Sequence, residues 1–376
     1  MRVLLYCHNV LGLGHIVRSL RIAERLTDEA EVRLITGCRF LDSLRIPAGV
    51  EIAHLPALRA DPDGSMHPVD GGFLGSVMRR RSQLIASQVR EWSPHALLVD
   101  HNPLGLVAEL VETIDSIRRD DLPTRLVWGI RDIWSSPDSV RSAAQRFGGG
   151  PEAIRERIKS YHSAIAYTDE TWIPTLEGYR DLMMPARTAC VGFVAERISS
   201  SVAATGLPIV AVLSGGGEGA ARLASLVIAA APGLAAHLRF VVGPFDSPDE
   251  VRARAGGREN VEIWPEGTVA DAIRDASLIV SRAGYNTSYS VIQSALPIVF
   301  IPLQTGSQEQ GTRAARLAAL DRVQVVDERE AAAPAALREC IEQGLAAGAR
   351  PRSLPFSIDG AERAARWILG AAMEVL

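Results

Sequence analysis

Short apolar runs alternate with stretches of helical period along nearly the whole chain. In the first half the runs predict strands at Val3–Cys7, Val32–Thr36, Ala96–Asp100, Leu126–Gly129, Ala164–Tyr167 and Ala189–Val191. Between the first two, Ile16, Leu20, Ala23 and Leu26 recur at the spacing of one helix face. Strands that are apolar throughout, separated by amphipathic helices, imply an α/β fold: a doubly wound parallel sheet covered on both faces. Around Glu196–Gly206 the periodicity lapses into Ser and Ala, and Pro208 leads a new strand, so a linker is expected there. The second half repeats the scheme with strands at Ile209–Leu213, Arg239–Val242, Val261–Ile263, Leu278–Val280, Ile298–Ile301 and Val323–Val325. A last amphipathic helix, Gly360–Met373, follows a Pro-rich segment. The expected organisation is two Rossmann-like domains, 1–196 and 207–356, with residues 357–376 forming a terminal helix that returns to the first. Such sheets bind ligands at the carboxyl ends of their strands, and two facing domains would place those ends around a cleft.

Composition narrows the function classes. A chain of 376 residues is long enough for two full cores, and its formal charge of −4 offers no basic footprint for nucleic acid. Cys7, Cys38, Cys190 and Cys340 lie far apart without metal spacing, which reads as thiols in a reducing compartment. The first ten residues are too polar for a signal peptide and no run is long enough to cross a membrane, so a cytoplasmic protein is expected.

The candidate chemistry lies in strand-to-helix loops. Gly12-Leu13-Gly14-His15 closes the first strand and opens the first helix. Val17 stands where a dinucleotide fingerprint needs its third glycine, so the loop is no such site. His15 at the helix start could take a proton from an acceptor hydroxyl, or could simply bond to local backbone. Asp100 ends its strand at the same sheet edge, where it could orient His15 or cap a helix beginning near Pro103. In the second half, Ser214-Gly215-Gly216-Gly217 and Arg282-Ala283-Gly284-Tyr285-Asn286-Thr287 each follow a strand and lead into a helix. Their amides suit phosphate groups, although a plain glycine turn is the ordinary alternative at Ser214. Asp61-Pro62-Asp63 spells a metal–diphosphate pattern but has no strand before it and reads as a turn, and no metal site is expected. Phe73, Leu74, Val77 and Met78 followed by Arg79-Arg80-Arg81 suggest at most peripheral membrane contact, the plainer reading being a core stripe ending in a solvated charge run.

The stretch from Trp264 to Gln310 resembles the donor-binding signature of GT-B glycosyltransferases, the family 1 box and the matching region of family 28. Trp264 precedes Arg282 by 18 residues, as in the signature box, and Glu309-Gln310 matches its sugar-hydroxyl pair. The segments YCHNVLGLGHIVRSL, VDHNPLG and WGIRDI are similar to bacterial glycosyltransferases related to the peptidoglycan N-acetylglucosaminyltransferase of family 28. The resemblance implies that Trp264 stacks on the base and that Asn286 and the Thr287 amide hold phosphate. It likewise implies that Ser214, Gly215, Gly216 and Gly284 line the donor site and that Glu309 and Gln310 grip sugar hydroxyls. His15 would be the general base, oriented by Asp100, with Gly12 and Gly14 in the acceptor loop. Two positions depart from the pattern. Arg282 replaces the box His and would still bring positive charge to a diphosphate. Ser290 replaces the carboxylate that holds the ribose, which puts UDP preference in question and makes a dTDP-sugar donor reasonable.

The expectation is therefore an inverting, metal-independent glycosyltransferase without cofactor. Its partners would be a UDP- or dTDP-sugar donor and a small natural-product or lipid-linked acceptor. The rival readings are a sugar-nucleotide 2-epimerase on the same fold, which lacks a suitable acid–base cluster in the second half, and a non-catalytic nucleotide-sugar-binding subunit. Oligomeric state is not legible.

Overall fold

The computed structural model describes residues 1–375 apart from 11, 62–64, 134–149, 178–183, 199–205, 218, 265–266 and 305–307. The chain divides into two units, Met1–Val194 with Phe356–Leu376, and Ala195–Pro355.

The first unit is built on a seven-stranded parallel sheet of order β3-β2-β1-β6-β7-β8-β9. Its strands are β1 Arg2–Cys7, β2 Glu31–Thr36, β3 Val50–His54, β6 Ala96–Asp100, β7 Arg125–Ile130, β8 Tyr161–Ala166 and β9 Thr188–Cys190. A short antiparallel pair, β4 Leu58–Ala60 and β5 Met66–Pro68, lies outside the sheet. The helices are α1 Gly14–Leu26, α2 Leu74–Trp92, α3 Val111–Arg119 and α4 Pro151–Ile158. The central strands bury every residue from Val3 to Cys7 and from Ala96 to Asp100, as strands covered on both faces must. On one side Leu4, Tyr6, Leu97, Val99, Leu126 and Trp128 pack against Ile85, Val89, Ile114 and Ile117 of α2 and α3.

The second unit repeats the plan with six parallel strands in the order β12-β11-β10-β13-β14-β15. They are β10 Ile209–Leu213, β11 His237–Val241, β12 Val261–Trp264, β13 Leu278–Ser281, β14 Ile298–Phe300 and β15 Val323–Val325. The helices are α5 Ala220–Ala230, α6 Pro248–Ala255, α7 Val269–Ile273, α8 Tyr285–Val291, α9 Glu309–Leu317, α10 Glu328–Ala331 and α11 Pro334–Ala347. Ser247 and Thr268 begin α6 and α7 by accepting bonds from the Glu250 and Asp271 amides. Val210, Val212, Leu238, Phe240 and Val280 meet Leu223, Val227, Leu337 and Ile341 in the core of this unit. α12, Gly360–Met373, belongs to the first unit, where it packs on α1 and on β1, β6, β7 and β8.

In both sheets the strand order reverses direction beside the first strand. That switch falls between β1 and β6 in one and between β10 and β13 in the other. A crevice forms at such a point because consecutive helices leave to opposite faces, and ligands of open α/β sheets bind there.

Candidate active site

At the switch point of the first sheet, Tyr6 is in register with Val99 and Asp100 with Gly129, so Cys7 and Asp100 end their strands side by side. The loop after β1 is tied by Asn9, whose amide donates to the Gly12 carbonyl at 2.8 Å. Gly12 has φ +70°, a region in which a side chain would be strained. α1 then starts at Gly14, and His15 lies in its first turn. The His15 Nδ1 atom is 2.5 Å from Oδ2 of Asp100. This geometry assigns the ring hydrogen to Nδ1 and the lone pair to Nε2, the arrangement a general base needs. Asp100 is therefore hydrogen-bonded to His15 and caps no α-helix: residues 103–104 form a turn, Leu106–Ala108 a short 3₁₀ helix, and the next α-helix begins at Val111.

Three neighbours invisible in the sequence complete this corner. Arg18, one helical turn beyond His15, grips Asp100 through Nη2 at 2.8 Å and 3.0 Å and through Nε at 3.2 Å. His8 and His101 flank His15, with ring centroids 4.5 Å and 5.3 Å away. His101 holds φ +64°, an uncommon backbone conformation of the kind found where structure over-determines a site. Burial, outweighing the pull of Asp100, lowers His15 to about 4 and His8 to about 3, while burial and then Arg131 push His101 well below its usual value. Burial alone would raise the Asp100 carboxyl, but the Arg18 charge, then His15, hold it far below the carboxylate range. Burial thus favours the neutral form of all three imidazoles.

Beneath this corner lies a second buried ion pair. Arg81 bonds Glu109 through Nε at 2.6 Å and Nη2 at 2.9 Å, and the Tyr6 hydroxyl donates to the same carboxylate. Arg81 is thus not part of a solvated charge run: its side chain is fully buried, whereas Arg79 and Arg80 are exposed. Phe73 is exposed, and among the described residues no helix is long and apolar enough to cross a membrane. Asp61, just after β4, pairs with Arg59 at 2.5 Å and His67 at 3.0 Å, and Pro62 and Asp63 lie outside the described residues. Among those residues no group of three or more His, Cys, Asp or Glu is placed to hold a metal ion.

In the second unit Leu213, Val241, Trp264, Ser281 and Phe300 form one register row across the sheet. The turns that follow Leu213 and Ser281 accordingly share its carboxyl edge with Trp264. Ser214 Oγ donates to the Val241 carbonyl at 2.9 Å and fixes the glycine turn. Gly215 has φ +82° and Gly216 and Gly217 continue the turn. Gly284 precedes α8, whose first residues Tyr285, Asn286 and Thr287 bring backbone amides to the same edge. A Cβ on Gly215 would lie 3.7 Å from the Thr287 hydroxyl, so the two turns are neighbours.

Two donor-site expectations need correction. Arg282 is buried and turned inward, with Nη1 donating to the Ile301 carbonyl at 3.0 Å and Nη2 2.8 Å from Glu328. Its charge is met inside the protein and does not reach a diphosphate. Ser290 is likewise fully buried, its hydroxyl accepting from the Glu196 amide at 3.3 Å, so it is not presented to a ribose. The remaining positions have defined settings. Trp264 carries the Arg239 guanidinium 4.4 Å from its ring centroid. Glu309 accepts from Arg313 at 2.7 Å, and Gln310 accepts from the Leu303 amide at 3.0 Å. Arg313, which sequence reading passed over, is fully buried and donates to the Ala283 carbonyl at 2.6 Å, locking α9 to the turn before α8.

Residues 210–354 match the model of the glycosyltransferase family 28 C-terminal domain. Over 179 residues the chain is 28% identical to the UDP-N-acetylglucosamine--N-acetylmuramyl-(pentapeptide) pyrophosphoryl-undecaprenol N-acetylglucosamine transferase of Paenarthrobacter aurescens strain TC1. That match takes in 46% of this chain and spans about half, 47%, of the relative. Among solved structures, Acinetobacter baumannii MurG is similar with a TM-score of 0.56 and 13% identity, over 98% of this chain and all of that one. The spinosyn rhamnosyltransferase SpnG complexed with thymidine diphosphate is similar with a TM-score of 0.59 and 16% identity, over all of this chain and 96% of that one. With a Rossmann-like parallel sheet in each unit and residues 210–354 matching the family 28 C-terminal domain model, the chain has the GT-B glycosyltransferase fold.

Proposed function

We propose that this protein transfers a sugar from a nucleoside diphosphate sugar to an acceptor hydroxyl with inversion, without a metal ion, using His15 as general base. His15 Nε2 takes the hydroxyl proton, the acceptor oxygen attacks the anomeric carbon, and the bond to the diphosphate breaks. Amides of the turns at Ser214–Gly217 and Gly284–Thr287, with the Asn286 side chain, would stabilise the charge that builds on the leaving group. Trp264 would stack on the base, and Glu309 and Gln310 would hold sugar hydroxyls. The observation that carries the reading is an imidazole hydrogen-bonded to a buried carboxylate at one sheet's switch point. It is joined in the same chain by a family 28 domain whose glycine turns lie at the other.

A UDP- or dTDP-sugar fits as donor, and a small natural product or lipid-linked precursor as acceptor, with the cytoplasm as location. Burial of Ser290 removes the residue at the ribose-carboxylate position from contact, which favours the nucleotide with one hydroxyl fewer. Titration calorimetry with UDP and dTDP tests the donor half. We expect dTDP to bind more tightly, and Asn286→Ala to weaken binding about tenfold, as loss of one phosphate hydrogen bond would. Failure of both nucleotides to bind would remove the proposed donor.

A further inference from the structure

The carboxylate that orients His15 has two claimants. Asp100 receives the His15 Nδ1–H on Oδ2, while the Arg18 fork spans both its oxygens. A hydrogen-bonded carboxylate draws an imidazole toward the imidazolium, against the burial that disfavours the charged ring. Arg18 changes that balance. It neutralises Asp100 and places a permanent cation, Nη2, 3.1 Å from His15 Nδ1. The guanidinium is fixed in this posture: it is fully buried and lies 4.9 Å from the Tyr167 ring centroid, and Tyr167 fits only because residue 129 is glycine. His15 also sits in the first turn of α1, where the helix dipole disfavours a positive charge.

We propose that Arg18 is a positioning residue which shares Asp100 with His15 so that the carboxylate orients the imidazole without charging it. The role deepens the reading of His15 as general base and rests on it. The groups that face His15 are His8 from the end of β1, Arg18 from its own helix, Asp100 and His101 from the end of β6, and Arg131 from the end of β7. Of these only Asp100 is an anion, and Arg18 offsets it. With burial as the largest influence and Arg131 and Arg18 acting in the same direction, the lone pair on Nε2 stays available across the neutral and mildly acidic range, in keeping with the lowering of His15 to about 4. Arg18 itself touches no reacting atom in this scheme.

The imidazole titration of His15, followed by long-range ¹H–¹⁵N NMR and assigned with His15→Gln, tests this without donor or acceptor. In the unaltered protein His15 should remain neutral, as the Nδ1–H tautomer, down to pH 5 or below. In Arg18→Met its midpoint should rise by more than one pH unit, at least a tenfold gain in proton affinity. Adding Asp100→Asn to that variant should bring the midpoint down again, because the carboxylate is then gone. An unchanged midpoint in folded Arg18→Met overturns the proposal. So does a His15 of the unaltered protein that titrates at or above the ordinary imidazole value, a result that needs no variant to fold. Lack of any sugar transfer would instead count against the base assignment, and would leave the titration result standing.

Discussion

At the residue scale, the chemistry rests on which nitrogen of His15 carries the hydrogen. The 2.5 Å contact to Asp100 commits Nδ1, and the ring remains partly accessible, its side chain 14% exposed. A lone pair on Nε2 can then meet an acceptor hydroxyl. Replacing His15 by alanine removes that acceptor of the proton while leaving the glycine turns of the second unit untouched. General-base catalysis contributes about 10²–10⁴-fold, so His15→Ala should lower kcat by that factor with nucleotide affinity unchanged. Steady-state rates together with calorimetric binding of the same nucleotide separate the two quantities. Near-normal kcat would take His15 out of the mechanism, and a parallel loss of nucleotide affinity would show that the substitution disturbs more than proton transfer. His15 and Asp100 stood out as candidates because Asp100 ends a strongly apolar strand and His15 opens the helix that follows another. Arg18 did not. In the helix Gly14–Leu26 it looks like any polar position, and only the folded path of β6 brings a carboxylate to it. Arg282 and Ser290 misled for the converse reason: alignment to a motif fixes backbone position, whereas side-chain direction depends on partners such as Glu328 and the Glu196 amide, far away in sequence.

At the element scale, the buried central strands were legible from their apolar runs: Ile209–Leu213 and Ala96–Asp100 have the bounds that those runs suggest. β3 was not, since Val50-Glu51-Ile52-Ala53-His54 is an edge strand, only partly buried and too mixed to stand out. What periodicity cannot supply at all is the close approach of one loop to another. Gly243, just beyond β11, is such a case. A Cβ there would fall inside contact distance of the Gly215 carbonyl oxygen, a backbone atom that cannot rotate away. Gly243→Ala should therefore push the Ser214–Gly217 turn out of place, at about 1–3 kcal/mol of stability, the usual cost of overpacking. If that turn holds the diphosphate, nucleotide affinity falls as well, by an expected tenfold or more. Gly217→Ala is the matched control, because a Cβ there meets nothing within 4 Å and the turn can stay as it is. Thermal melts and calorimetry on the pair decide the matter. Equal nucleotide affinity in both variants would dissociate the turn from donor binding.

At the scale of the whole molecule, the chain leaves its first unit at Val194 and comes back to it at Phe356, so the first core is closed by a segment that follows the whole second unit in sequence. Phe356 packs edge-on against Phe193, with ring centroids 5.0 Å apart, and Ile368 and Leu369 of α12 are buried. α12 also covers α1, the helix that carries His15 and Arg18. Burying three such side chains stabilises by about 1.5–3 kcal/mol each, roughly 5–9 kcal/mol together. That is as large as the whole stability of many domains, which is about 5–15 kcal/mol. The second unit draws on none of it, since its core comes from residues between Val210 and Ile341. A chain ended after Pro355 should thus lose the cooperative unfolding transition of its first unit and keep that of the second. Circular dichroism melts combined with limited proteolysis should find a protected fragment near residues 195–355, while residues 1–194 are degraded. If the truncated chain instead protects its first 194 residues as well as the full protein does, α12 is a covering element and not part of that core. The fixed placement of His15 would then have to come from β1, β6 and the Arg18–Asp100 pair alone.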